Sequence, residues 1–211
     1  MTVLFDLDNT LIDRNTAYED WLTTVFKANG IMASSSEWDI IRVKDNWGYT
    51  SRQEFYDWLL SIYALPYTRP ELIAKGANEI YTHIPSITSE IEALLKRLKS
   101  TCQIGIVSNG GIENQMNKLK GSRLLSFFEK KAVFISGAMS FSKPDQAYFE
   151  VVEERLQRAA HELVIVGDNP INDIQGGNQA GWKTVWISKG RNDKVPADYV
   201  VNELIDVIDV L

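Results

Sequence analysis

Thr2-Val3-Leu4-Phe5-Asp6-Leu7-Asp8-Asn9-Thr10 is the stretch on which the reading of the whole chain depends. Val3, Leu4 and Phe5 form an apolar run too short for a helix, so it reads as a buried strand of a parallel sheet. Alternate side chains of a strand share a face, which lets Asp6 and Asp8 point the same way off its carboxyl end. Open α/β sheets bind their ligands at that end. A polar turn after a strand accounts for Asp8-Asn9-Thr10 equally well, so the meaning of the two carboxylates depends on what else reaches the same edge.

The chain has 211 residues, 45% of them hydrophobic, enough for one sizeable core and a smaller appended domain. A formal charge of −6 without a cluster of lysine or arginine argues against nucleic acid or an anionic membrane as the main partner. The apolar run Val3 to Leu7 is too short for a signal peptide or a membrane span, so a cytoplasmic protein is expected. The single cysteine, Cys102, agrees with a reducing compartment and reads as a core residue.

Residues 13–85 contain no convincing strand. Trp21, Leu22, Val25 and Phe26 have one-face helical spacing, and Phe55, Trp58, Leu59 and Ile62 repeat it, which predicts amphipathic helices packed on each other. Trp21, Trp38, Trp47 and Trp58 read as the core of this small bundle, or in part as a pocket lining. Pro66, Pro70 and Pro85 mark the return to the first domain. From Ser86 onward helices and strands alternate. Ser89 and Glu92 have capping-box spacing ahead of Ile91, Leu94, Leu95 and Leu98. Strands are predicted at Gln103 to Val107, Ala132 to Ile135, Leu163 to Val166, Thr184 to Ile187 and Tyr199 to Val201. Ile112, Met116 and Leu119 mark one helix, Tyr148, Val151, Val152 and Leu156 another opened by Asp145, and Glu203 to Leu211 a closing one. This alternation implies an α/β fold, a Rossmann-like three-layer parallel sheet core, formed by residues 1–12 and 86–211, with a helical domain of residues 13–85 inserted.

Polar residues follow four of the predicted strands: Asp6 and Asp8, Ser108 and Asn109, Lys143 in a later loop, and Asp168 with Asp173. In a parallel sheet the carboxyl ends of the strands lie on one edge, so these groups can meet. Crowded carboxylates raise one another's pKa unless a cation is bound, and an oxygen-only set without histidine or cysteine suits Mg²⁺ better than zinc.

In order and spacing, Asp6-Leu7-Asp8-Asn9-Thr10, Ser108, Lys143-Pro144 and Gly167-Asp168 with Asp173 resemble the four motifs of the haloacid dehalogenase (HAD) superfamily, and the helical insert resembles the mobile cap of its class I members. The resemblance implies that Asp6 is the nucleophile, forming an aspartyl-phosphate, and that Asp8 is the general acid/base. Asp6 and Asp168, with the main-chain carbonyl of Asp8, would hold Mg²⁺. Ser108 and the amides around Asn109 and Gly110 would bind phosphoryl oxygens, Lys143 would neutralise charge, Asp173 would orient Lys143 or a metal-bound water, and Thr10 would hydrogen-bond near Asp8 and steer it. The implied activity is that of a Mg²⁺-dependent phosphatase acting on a small phosphorylated metabolite, the cap closing to exclude bulk water. A β-phosphoglucomutase-like phosphotransferase keeps both aspartates and remains an alternative. A 2-haloacid dehalogenase lacks the counterpart of Asp8, and a non-catalytic phosphoacceptor needs neither Asp8 nor the insert.

Outside the motifs, His83 and His161 read as structural or surface residues. Asn169 can cap its turn or touch substrate, and Asp13 reads as a helix cap or a hinge. Arg14, Arg42, Lys44 and Arg52 are the insert's candidates for a second anionic group on the substrate, or simply a solvated face.

Overall fold

The computed structural model describes residues 1–211. Contacts divide the chain into two compact units, Met1–Ile12 with Ser86–Leu211, and Asp13–Pro85. The second unit is helical: α1 (Arg14–Ala28), α2 (Ser35–Asp45), α3 (Arg52–Ile62) and α4 (Arg69–Glu79). Each begins where a side chain satisfies free amides of the first turn. Asp13 accepts from Thr16 N–H at 3.1 Å, Ser51 accepts from Glu54 N–H, and Ser34 with Glu37 and Thr68 with Glu71 form reciprocal capping boxes. Such caps contribute about 0.5–2 kcal/mol apiece. Pro70 does not end the helical segment as its residue type suggested. It sits in the first turn of α4, where the missing N–H has no intrahelical acceptor to lose.

Trp21, Leu22, Val25 and Phe26 are all buried, and Trp21 packs tilted on Tyr18 and edge-on to Tyr56. The predicted α3 stripe is shorter than expected: Phe55 and Leu59 are buried and Trp58 half-buried, while Ile62 faces solvent at the end of the helix. Trp47 is not core either. It lies on a kink where both Asn46 and Trp47 adopt left-handed backbone, and it is exposed. Arg14 forks onto Asp45 at 2.5 and 3.1 Å, and Arg52 adds a bond to the same carboxylate at 2.9 Å. Burial alone would raise the Asp45 carboxyl, but the two guanidiniums override it and hold it below its usual value. Arg42 pairs with Glu19 and Asp39, and Lys44 lies over the Trp58 ring.

In the other unit, β1 (Thr2–Phe5), β2 (Gln103–Ser108), β3 (Val133–Ile135), β4 (Leu163–Gly167), β5 (Lys183–Ile187) and β6 (Tyr199–Val201) form one sheet in the order β3-β2-β1-β4-β5-β6, with every pairing parallel. β1 is therefore central, and its four residues are fully buried, as a strand covered on both faces must be. The helices of this unit are α5 (Ser89–Thr101), α6 (Ile112–Gly121), α7 (Gln146–Leu156) and the short α8 (Gly176–Gln179). Leu4, Val107, Phe134, Phe149 and Ile165 belong to one core cluster, in which Phe149 meets Trp182 edge to face.

Several local expectations shift. Thr88, one residue before Ser89, caps α5 by accepting from Ile91 N–H. The inward face of α6 is Gln115, Lys118 and Leu119, whereas Ile112 is exposed and Met116 only half-buried. Cys102 is half-buried at the end of α5. The closing segment Leu204–Asp209 winds as a 3-10 helix, not an α-helix, with Leu204 and Val207 inward. No helix is long and apolar enough to cross a membrane.

Candidate active site

Phe5 pairs in register with Ile106 of β2 and with Val166 of β4. Asp6 N–H extends the pairing by one residue, donating to Val166 O at 2.9 Å. The segments that follow the three central strands thus leave the sheet at the same level, and Asp6, Ser108 and Asp168 come together for that reason. All three are buried.

Asp6, Asp168 and Asp173 form a group whose carboxylate oxygens lie within 4.8 Å of one another. Asp173 reaches it because the chain after β4 turns at once into a π-helical segment, Pro170–Gln175, with Asn169 as its cap. Asn169 Oδ1 accepts from the N–H groups of Ile171 and Asn172, so this side chain closes the turn. Asp173 accepts from Asn169 N–H at 3.0 Å with one oxygen and from Lys143 Nζ at 2.6 Å with the other. A Cβ on Gly167 would lie 2.2 Å from Asp173 Oδ2, so glycine is required there for the carboxylate to approach the strand.

Lys143 is the centre of the arrangement. Its ammonium donates to Asp6 Oδ1 at 2.8 Å, to Asp173 Oδ1 and to Val107 O at 2.7 Å, using all three of its hydrogens. Burial alone would favour the neutral amine, but Asp173 and Asp6 more than compensate and hold Lys143 above the ordinary lysine range. Asn109 fixes the lysine from behind. Its Nδ2 donates to Lys143 O at 2.8 Å and its Oδ1 accepts from Lys143 N–H at 2.9 Å, so the side chain clasps the loop backbone.

The carboxyl of Asp6 is pushed well above its usual value by burial; Asp173 and Asp168 add to the rise, and Lys143 opposes it. Arg191 lies 3.8 Å from Asp168 Oδ2 and also donates to Asp168 O, as does Trp186 Nε1. One ammonium at hydrogen-bond distance and one guanidinium further off do not cancel three buried carboxylates. The excess negative charge and the oxygen-only donor set of Asp6, Asp168 and Asp173 fit a hard divalent cation such as Mg²⁺.

The carboxylate of Asp8 is not part of that group. Lys118 Nζ donates to both of its oxygens at 2.7 Å, and Gln115 Nε2 to Oδ2 at 3.1 Å. Gln115 Nε2 also donates to Ser108 Oγ at 2.6 Å and to Asn109 O. Gly110, whose positive φ of 137° makes the turn, gives its N–H to Ser136 Oγ at 3.0 Å, so this amide is occupied within the protein. Thr10 departs from expectation: its Oγ1 is buried without a hydrogen-bond partner, so it does not hold Asp8. Sequence reasoning did not single out Gln115, Lys118, Trp186 or Arg191. No local pattern marks the first two, which precede Leu119 by four and one positions and read as polar residues of a solvated helix face.

The arrangement offers a buried carboxylate beside an ammonium, a place for a cation, and a second carboxylate two residues on, which is what phosphoryl or acyl displacement at a carboxylate nucleophile requires. Comparison with known proteins gives the same direction. Glyceraldehyde 3-phosphate phosphatase of Pyrococcus furiosus is 28% identical over 99% of this chain and 92% of its own length. Human N-acylneuraminate-9-phosphatase is 28% identical over 97% and 91%. The crystal structure of the HAD-hydrolase YfnB of Bacillus subtilis, bound to magnesium, superposes with a TM-score of 0.85 at 25% identity, covering 100% of this chain and 97% of that one. Residues 3–187, from the first apolar residue of β1 to the end of β5, match the model of the haloacid dehalogenase-like hydrolases, and the chain belongs to that family.

Proposed function

We propose that this protein is a Mg²⁺-dependent phosphatase that hydrolyses a small phosphorylated metabolite through a phosphoaspartate on Asp6, with residues 13–85 as its helical cap domain. The observation that carries the reading is the buried contact of Asp6 with Lys143 at 2.8 Å, inside a group of three carboxylates. The phosphatase names of the relatives support the same reaction class.

Asp6 Oδ attacks phosphorus while the bond from phosphorus to the leaving oxygen breaks, leaving an aspartyl-phosphate. Lys143 opposes the effect of burial on the nucleophile and offsets charge on the transferring group. Asp6 and Asp168, with the main-chain carbonyl of Asp8, would hold Mg²⁺, which when bound supplies further charge neutralisation for nucleophile and phosphoryl oxygens. Asp8 gives its proton to the leaving oxygen; in the second half it takes one from the water that attacks the phosphorus and regenerates Asp6. Ser108 Oγ receives a phosphoryl oxygen as a hydrogen-bond donor. Asp173 keeps Lys143 in place, and Asn109 fixes the loop that carries it.

A panel of phosphorylated metabolites assayed for phosphate release with Mg²⁺ tests the proposal. Release should occur with at least one ester, fall below about a thousandth in Asp6→Asn with an unchanged circular dichroism spectrum, and stop reversibly in EDTA. Turnover in EDTA equal to that in Mg²⁺ overturns it, and isomerisation of a sugar phosphate without net phosphate release would make the protein a mutase instead.

A further inference from the structure

We infer that Gln115 and Lys118, on the inward face of α6, are positioning residues for the acid–base chemistry of Asp8, tying it to the phosphate-binding hydroxyl of Ser108. The inference rests on the role given to Asp8 above, and three observations carry it.

The first is how weakly the backbone constrains that carboxylate. Asp8 lies beyond the last paired residue of β1, in the turn closed by Leu11 N–H on Leu7 O, next to Asn9 with its left-handed backbone. This places the Asp8 Cα but leaves two side-chain rotations to be set by neighbours. The second is the contact itself. Lys118 is only 4% exposed and its one ammonium reaches both Asp8 oxygens at the same 2.7 Å, straddling the carboxylate. The third is Gln115, 1% exposed, whose single Nε2 spans Asp8 Oδ2, Ser108 Oγ and Asn109 O. Its Oε1 is buried without a partner. An orphaned buried acceptor is destabilising, so this amide is a poor choice for packing alone and a good one for connecting two functional groups.

A structural staple between α6 and the turn after β1 would use the same contacts, so the test must separate orientation from folding. The measurement is kcat/KM, which reports steps up to departure of the leaving group, for p-nitrophenyl phosphate and for the alkyl phosphate turned over fastest in the panel above. The p-nitrophenolate group leaves without a proton at neutral pH, whereas an alkoxide requires one from Asp8. In Lys118→Met, kcat/KM for the alkyl ester should fall about a hundredfold, as expected when a catalytic group is misplaced, while that for the p-nitrophenyl ester stays within about threefold. The kcat for p-nitrophenyl phosphate should fall with its KM, because hydrolysis of the phosphoenzyme also uses Asp8. Gln115→Met should show the same divergence if Lys118→Met fails to fold. Asp8→Asn calibrates the assay. If it separates the two esters and neither neighbour variant does, the positioning role is overturned. If Asp8→Asn leaves both esters unaffected, the acid–base reading of Asp8 falls, and the inference with it.

Discussion

Replacing Lys143 with methionine keeps most of the volume of its stem and removes the ammonium. Three acceptors would then lose their donor at once: Asp6 Oδ1, Asp173 Oδ1 and Val107 O. The site is almost closed to water, Lys143 being 3% exposed and Asp173 0%. Removing one partner from a buried ion pair costs about 3–5 kcal/mol, because the remaining charge is stranded or must take up a proton. For a chain of this length each kcal/mol lowers the melting temperature by about 2–4 °C, so in EDTA at neutral pH the α/β unit of Lys143→Met should melt about 6–20 °C below wild type. Circular dichroism melts measure this directly. If stranded charge causes the loss, Asp173→Asn placed on top of Lys143→Met should restore part of it, with a coupling of about 1–3 kcal/mol between the two positions. A Lys143→Met protein that melts within about 2 °C of wild type, or a double variant as unstable as the two single losses added together, would refute the reasoning.

Mg²⁺ should raise the melting temperature, by about 3 kcal/mol of stability at a concentration a hundredfold above its Kd. That gain should shrink as pH falls, because burial raises the Asp6 carboxyl and protons then compete for the same oxygens; melts with and without Mg²⁺ at pH 5 and pH 8 check it. Gly167→Ala puts a methyl group 2.2 Å from Asp173 Oδ2. It should cost about 1–3 kcal/mol and lower phosphate release by displacing Asp173 from Lys143, both visible in one set of melts and assays. In the helical unit, Asp45→Asn should destabilise by about 3 kcal/mol near neutral pH. Because the Asp45 carboxyl is held below its ordinary 3.8, the wild-type advantage is fully present above that value and is lost as pH falls through the depressed one, which acid titration of the two proteins by circular dichroism will report.

The parts of this molecule that are legible in its sequence are those set by local periodicity. Val3-Leu4-Phe5 reads as a covered strand, and the alternation after Ser86 leads to a parallel sheet whose carboxyl edge gathers Asp6, Ser108 and Asp168. Other features depend on partners chosen in three dimensions. Gln115 and Lys118 look like an ordinary solvated helix face, because polar residues at helical spacing usually are one; only the placement of α6 near the turn after β1 turns them inward. Asn109 reads as part of a phosphate-binding turn, and its clasp on Lys143 joins residues thirty-four positions apart, which no local pattern announces. The closing segment has helical apolar spacing yet winds as a 3-10 helix, since Leu204 and Val207 satisfy the i, i+3 repeat of either form.

The central place of β1 also bears on how the chain folds as it is made. Thr2 pairs with Gln103 on one side and with Leu163 on the other, so β1 leaves the ribosome long before either of its partners is synthesised. Between them comes the insert, Asp13–Pro85, with its own capped helices, which can form on the ribosome while β1 is still single. Val3, Leu4 and Phe5 would then be exposed through most of translation, an unpaired apolar strand of the kind that recruits chaperones or seeds aggregation. Because pairing on both sides spans most of the chain, folding of the sheet should be slow relative to the insert and should begin in earnest only after β4 emerges. Ribosome-bound chains arrested before and after β4 has cleared the exit tunnel should therefore differ sharply in protease resistance of β1.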